Sequence, residues 1–456
     1  MVVPTDVRNP TVLIVGAGIG GLMLGAALET ANISYHILER AQEPRPLGSA
    51  IAISANILPV FEQLGIYEEL KSISLPHISV DMYNMNLDNF CSLDGECHRA
   101  VTGYEHQIVA RPRLYDLLHR KVPEYKISRG KKVIRTKERD DGVTVHCSDG
   151  TEYECSILVG ADGAYSVVRQ DMYKKLDEEG NLPPSDKEDL TIAYINMVGI
   201  SSPPNPEKYP QLSDTDRTHF RIVIGDSNES CLFVTAPDNQ ICWGIQIQLS
   251  ADEARQYQFK NPEWGPESID TMMKDFEDFP CAFGGTMKEI LDATPRHLIS
   301  KVFLEEKLFQ TWYHGRSVLL GDACHKLLPG GGEGAVTAMK DAVVLANCLY
   351  NMNDTSEKSI ETAFASYYRQ RYSDAEYMAQ SSAIITHVMY GHRWTDRLLR
   401  KVISSYLPNW VKTKGGVVRY SNRPQINWLP LVENPDQGYV IPQEGRGLVE
   451  KGALAI

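Results

Sequence analysis

Three glycines, Gly16, Gly18 and Gly21, follow directly on the run Val12-Leu13-Ile14-Val15, and that spacing leaves the start of the chain few ways to fold. A continuous β-branched and leucine run suits a strand buried on both faces of a parallel sheet. In G-x-G-x-x-G the first glycine permits a tight turn and the second lets a pyrophosphate approach the backbone. The third lets the next helix pack closely on the sheet. The free N–H groups and partial positive charge of that helix's N-terminus favour the anion. A second strand, 34–40, carries Glu39 eighteen residues beyond Gly21, followed by Arg40. A carboxylate there accepts hydrogen bonds from ribose hydroxyls and repels a 2′-phosphate. Gly16, Gly18, Gly21, Glu39 and Arg40 are therefore candidate contacts to an adenosine dinucleotide, FAD or NAD. The alternative is a glycine-rich packing turn with a solvated Glu39. Residues 11–28 carry no charge and are long enough to span a bilayer, but their glycine spacing favours strand, turn and helix.

With 456 residues the chain has material for two or three domains and a large core. Its net charge of −13 argues against a nucleic-acid partner, and no Lys/Arg-rich run opposes that. Nine cysteines occur without a CxxC pair, so neither a metal site nor a disulfide framework is indicated, and reduced intracellular thiols are expected. No secretory leader pattern opens the sequence, and no second stretch has the length of a membrane span.

Two more motifs follow apolar runs. "CSILVGADGAYSVVRQ" (155–170) leads into Asp162-Gly163, with Ser166, Val168 and Arg169 beyond. "GDACHKLLPGGGEGA" (321–335) follows Val318-Leu319-Leu320 and strips side chains from a loop that opens a helix. No Gly-Lys-Ser/Thr follows these glycines, which excludes a nucleoside-triphosphate loop. A helix N-terminus here suits negative charge developing on a flat ring.

On Asp162, Gly163, Ser166, Val168 and Arg169 (the form DGxxSxVR) the chain resembles the class A FAD-dependent monooxygenases, the para-hydroxybenzoate hydroxylase-like family. Gly321, Asp322, Ala323, His325, Pro329, Gly332, Gly334, Ala338, Asp341 and Ala342 match that family's third motif in register. The resemblance implies that Asp162 lies near the FAD pyrophosphate and that Asp322 bonds a ribityl hydroxyl. It implies too that the flavin's pyrimidine edge meets backbone N–H groups around Gly334 and Ala335. Arg111, in "IVARPRLYDLLHR" (108–120), is expected to reach the FAD ribose or phosphate, with Arg113 an exposed neighbour. A charge-assisted contact of that kind contributes about 2 kcal/mol. Gly48 and Ala50 fall where the family's loop passes the cofactor. Two positions depart from the pattern. Cys324 replaces a small apolar residue, and Glu333 replaces a common glutamine and is expected to face solvent.

The fold implied is α/β: a Rossmann-like FAD-binding domain of glutathione reductase type, interrupted by an antiparallel β-sheet substrate domain, with a C-terminal helical segment. The expected division is 1–182 plus 302–360 for FAD, 183–301 for substrate and 361–456 for C-terminal helices and tail. Residues 217–249 alternate apolar and polar between turn clusters and read as a meander, joined by 190–200 and by a strand within 76–102. His219, Arg221 and Tyr194 are the substrate-side candidates, His219 as acid, base or hydrogen-bond donor, each set against an ordinary strand role. The aromatic stripe over 360–412 reads as core, with Pro408 breaking the pattern. The tail 423–438 resembles the fungal natural-product branch, the paxilline-type epoxidases and meroterpenoid monooxygenases. Some of those carry C-terminal membrane helices that this chain lacks, so a soluble, cytoplasmic monomer or homodimer is expected.

The activity implied is monooxygenation. NADPH or NADH reduces FAD, O₂ adds at flavin C4a, and the hydroperoxide hydroxylates or epoxidises a bulky, mostly apolar natural product, a terpenoid, meroterpenoid or prenylated aromatic. No second G-x-G-x-x-G unit provides a nicotinamide domain, and the halogenase motif WxWxIP is missing. A reductase or dehydrogenase on the same frame, or a non-catalytic flavin-binding relic, remain the alternatives.

Overall fold

In the computed structural model, residues 11–44, 46–94, 102–258, 266–406, 419–420 and 422–432 are described. Pro408 and the tail beyond 432 lie outside them. The apolar run Val12–Val15 is a fully buried strand, and residues 11–28 form strand, turn and the start of helix Ile19–Thr30. It sits in a six-stranded sheet ordered Tyr313–His314, Ser317–Leu319, Ile157–Gly160, Val12–Val15, Tyr35–Leu38, Ile127–Ser128. The middle strands are parallel: Val12 pairs with Tyr35 on one side and Ile157 on the other, and Leu158 pairs with Ser317. Each of the three glycine- and aspartate-bearing motifs thus leaves the carboxyl end of one of three adjacent parallel strands. Open α/β sheets bind ligands at that edge. A three-stranded antiparallel meander, Val133–Arg139, Gly142–Cys147 and Glu152–Cys155, adjoins this sheet.

The second layer is a ten-stranded mixed sheet. Its meander Thr218–Ile224, Glu229–Ala236, Gln240–Gln248 and its neighbour Thr191–Ser201 lie where alternation places them. The sheet extends further than expected. Besides the strand expected within 76–102, which is Ser74–Tyr83 and pairs parallel with Thr218–Ile224, it takes Ala50–Ile53 and His106–Ala110 from the N-terminal region. Strand Ser300–Leu308 also belongs to it, so a boundary at 302 would cut a strand paired with Thr191–Ser201. Short strands bordered by distant partners carry no local mark of which sheet they join.

Helix Ile19–Thr30 is buried along most of its length and packs against helix Gly334–Tyr350. The aromatic-rich segment after residue 356 is a 34-residue helix, Glu357–Tyr390, followed by Trp394–Tyr406. Trp312, Tyr367, Tyr368 and Tyr372 cluster around its first half. Over that first half the stripe is core, as its spacing suggests, whereas Tyr377 and Trp394 are exposed.

Candidate active site

A cavity of about 500 Å³ lies between the two sheets at the strand ends. Gly18, Ala50, Arg111, Asp322, Pro329, Gly332, Gly334 and Ala335 all line it. The first-motif glycines divide their work as their spacing demands. Gly16 has φ +107°, and a Cβ there would fall 2.4 Å from the Ala161 carbonyl oxygen. Gly21 is bare because a Cβ would meet the Gly16 carbonyl oxygen at 2.0 Å. At Gly18 a Cβ would meet nothing within 4 Å, so its face opens to ligand. Glu39 accepts from the backbone N–H of Ala17, at 2.9 Å, and of Ala41, at 2.8 Å, which holds its carboxylate beside the glycine turn. Arg40 is exposed and lines a different groove with Pro44 and His297.

The glycine-rich loop 329–334 is bare for two reasons, where the sequence suggests one. Gly330 and Gly331 have no room for a Cβ because Thr386 and Ser382 of helix Glu357–Tyr390 pack on them. Gly332 takes φ +65°, and only Gly334, which opens helix Gly334–Tyr350, has free space around it.

Arg111 leans across Gly48, whose Cβ would collide with the arginine chain at 2.6 Å, and donates to the Leu47 carbonyl at 2.8 Å. Burial pushes its guanidinium below the ordinary value, while Asp322 works the other way. Arg113 makes an exposed pair with Asp238. Asp322 pairs with Lys326, four residues on, and Lys326 lines the same cavity. Asp322 beside it holds the Lys326 ammonium above its usual range. Glu305, also on the lining, bonds the Tyr165 hydroxyl, and burial raises its carboxyl. Motif matching did not point to Lys326 or Glu305. No local signal marks them: Leu304 and Glu305 are adjacent yet both line the cavity, against strand alternation, and Lys326 sits on a short strand.

Asp162 sits between Ala161 and Gly163, which line the cavity, and caps a helix. Its Oδ2 accepts from the N–H groups of Val167, at 2.7 Å, and Val168, capping helix Val167–Glu178, and it lies off the cavity lining. Arg169 is buried, stacks over Phe309 at 4.2 Å and donates to the carbonyls of Ala323 and Ala164. It ties the second motif to the third. Behind the third motif, Asp341 accepts from Gly321 N–H at 3.0 Å, from His325 and from Arg371 at 2.8 Å. Arg371 and Lys340 in turn hold Asp374. Cys324 Sγ lies near His325 and Asp341, but both Asp341 oxygens are already bonded and burial keeps the thiol protonated. This ionic ladder positions the loop that presents Asp322.

Two of the three substrate-side candidates face the wrong way. Arg221 donates to the Ala282 carbonyl at 2.9 Å and stacks over Tyr83 and Phe283, on the sheet face turned away from the cavity. His219 bonds Asp214 at 3.0 Å on that same outer side. Alternation puts both residues on one face of their strand but does not say which face looks onto the cavity. Tyr194 lies on the inner side in one cluster with Leu328 of the loop, and its hydroxyl accepts from Gln248. Burial raises that phenol far above neutrality, so it stays protonated. Glu333, expected in solvent, is 3 % exposed and paired with Arg419.

A parallel sheet with a phosphate-accommodating turn, and a second bare helix N-terminus across the cavity from it, fits an elongated dinucleotide carrying a ring system. The FAD binding domain family model matches residues 9–202 and 288–382. The chain belongs to that family, and its class is the FAD-dependent monooxygenases. It is 29 % identical over 423 residues to the FAD-dependent monooxygenase esdpE of Penicillium shearii, covering 87 % of this chain and 81 % of that protein. It is 29 % identical over 372 residues to the FAD-dependent monooxygenase paxM of Penicillium paxilli, covering 80 % and 75 %. In fold it is similar to HpxO of Klebsiella pneumoniae, solved with FAD and uric acid: TM-score 0.71, 20 % identity, 91 % of this chain and 97 % of that one. FAD is the cofactor. No helix among the described residues is long and apolar enough to cross a membrane.

Proposed function

We propose that this monooxygenase uses NADPH or NADH and O₂ to hydroxylate or epoxidise a bulky, mostly apolar natural product, a terpenoid, meroterpenoid or prenylated aromatic. The observation that carries the substrate class is the wall of the cavity. Ala50, Ala52 and Leu328 line it and also belong to two apolar clusters on the inner sheet face, with Phe220, Ile222, Leu232, Val234 and Met389. An apolar face at the reacting end selects an apolar partner and excludes water.

When bound, FAD supplies the redox chemistry, taking electrons from the nicotinamide and activating O₂. The chain's own residues hold and orient. Gly18, at the N-terminus of helix Ile19–Thr30, offers room and positive potential to the pyrophosphate. Glu39 takes the adenosine ribose, Arg111 the phosphate side and Asp322 a ribityl hydroxyl. Gly334 and Ala335 present backbone N–H groups to the pyrimidine edge, where negative charge gathers on reduction. Tyr194 is buried on the inner sheet face off this cavity's lining, and burial keeps its phenol protonated, so it is not a base.

The test is the visible spectrum of the FAD-loaded protein before and after NADPH is added in air. Flavin bands that bleach slowly until an apolar substrate arrives are the expected result. Fast bleaching without substrate, leaving stable reduced flavin, makes the protein a reductase. No flavin bands after reconstitution would overturn the cavity assignment.

A further inference from the structure

Glu333 immediately precedes helix Gly334–Tyr350, the helix whose N-terminus closes one end of the cavity. A carboxylate at that place opposes the positive end of the helix dipole as seen by an anionic ligand. Burying it without a partner would be costly. Both of its oxygens are engaged. Oε1 accepts from the Arg419 guanidinium at 3.2 Å, and Oε2 accepts from the Ser54 hydroxyl at 3.3 Å. Arg419 also donates to the Gly331 carbonyl at 3.1 Å and to the Ser381 hydroxyl at 2.6 Å, so it grips the glycine loop and its carboxylate together.

Arg419 comes from the far end of the chain. Asn56 donates to the carbonyls of Arg419 and Asn422, Gln63 brackets Ile426 from both sides, and Asn347 joins Gln425 and Asn427. Trp428 lies over Tyr350 with ring centres 4.5 Å apart. Residues 422–432 therefore run past the C-terminal ends of helices Ile19–Thr30 and Gly334–Tyr350, and Arg419, just ahead of them, delivers a cation to the loop. The next cation along the helix, Lys340, is committed to Asp374.

We infer that Arg419 is a positioning residue that cancels the charge of Glu333, so that a seated C-terminal segment keeps the helix N-terminus receptive to reduced, anionic flavin. The inference rests on the reading that the flavin's pyrimidine edge lies at Gly334 and Ala335. Without Arg419 the carboxylate faces the region where reduction deposits charge, and reduced FAD is held less well relative to oxidised FAD. The oxidised form is nearly indifferent.

The experiment measures the midpoint potential of the holoprotein by spectroelectrochemistry, with FAD affinity and apoprotein melting alongside. In Arg419→Gln the ratio of affinities for reduced over oxidised FAD is expected to fall about tenfold, which is about 30 mV more negative for a two-electron couple. Arg419→Lys should recover most of it. The double variant Arg419→Gln/Glu333→Gln should return to within about threefold of the wild type, because the charge that needed cancelling is gone. An unchanged potential in Arg419→Gln, or an equal fall in the Glu333→Gln background, overturns the inference. Glu333→Gln separately tests the reading beneath it. A potential shifted upward there places the flavin edge at this helix even if Arg419→Gln is silent. A potential unmoved in every variant that still binds FAD removes the reading and the inference together. If Arg419→Gln fails to fold, the Lys and double variants decide the matter.

Discussion

A single methyl group has opposite consequences at two glycines three residues apart. At Gly18 it meets no atom of the protein, so Gly18→Ala should leave apoprotein melting nearly unchanged while FAD affinity drops at least about tenfold. At Gly21 it strikes the Gly16 carbonyl, and Gly21→Ala should cost about 1–3 kcal/mol of stability, read by denaturant titration. A Gly18→Ala variant that keeps full FAD affinity would remove the pyrophosphate from this turn. Asp322→Ala should release FAD on gel filtration and leave Lys326 without its partner. At this scale the cofactor side was legible because backbone conformation and close approach demand particular residues at fixed offsets. The substrate side was not. His219 and Arg221 share one face of their strand, but whether that face looks onto the cavity depends on distant segments such as Ala282 and Phe283 packing there, and no residue type announces it. Glu333 was misread for a similar reason: its partner, Arg419, lies 86 residues further along the chain.

Between elements, buried charge does the joining. Asp341 on helix Gly334–Tyr350 and Arg371 and Asp374 on helix Glu357–Tyr390 pair out of solvent, with His325 and Lys340 completing the set. Removing one partner strands the others, so Arg371→Met should destabilise by about 3–5 kcal/mol and loosen the loop carrying Asp322. Thermal melting of the apoprotein and FAD affinity should worsen together. If only melting changes, the ladder supports the helices without positioning the loop. The strands of the first sheet were readable as continuous apolar runs, whereas Ala50–Ile53 and His106–Ala110 are too short and too ordinary to reveal that they extend the second sheet.

For the whole molecule, acid should act in two stages. Burial lowers the His36 imidazole to about 4 from an ordinary value of about 6.5, so the unfolded chain binds the extra proton first. Stability is therefore full above about pH 6.5 and declines toward pH 4, by at most ~3 kcal/mol from this group. His36→Gln should flatten that slope in urea titrations at pH 7 and pH 5. Burial works against ionisation of Asp374, but Lys340 and Arg371 outweigh it and hold the carboxyl at about 2. Its contribution is present above the ordinary carboxylate range, about pH 4, and is lost as pH falls through about 2.

The flavin cavity is assembled from strand ends around residues 15, 160 and 319, and the C-terminal segment that braces its glycine loop returns from residue 419 to Asn56, 363 positions away. A chain leaving the ribosome at about 5–20 residues per second exposes the first glycine turn long before Asp322 and Gly334 exist to receive the ring. FAD therefore cannot serve as an early template for folding. It arrives at a nearly finished protein, and the expectation is that the apoprotein shapes the cradle unaided. Synthesis in a flavin-starved cell should then yield a folded colourless enzyme, ready to turn yellow when cofactor is supplied.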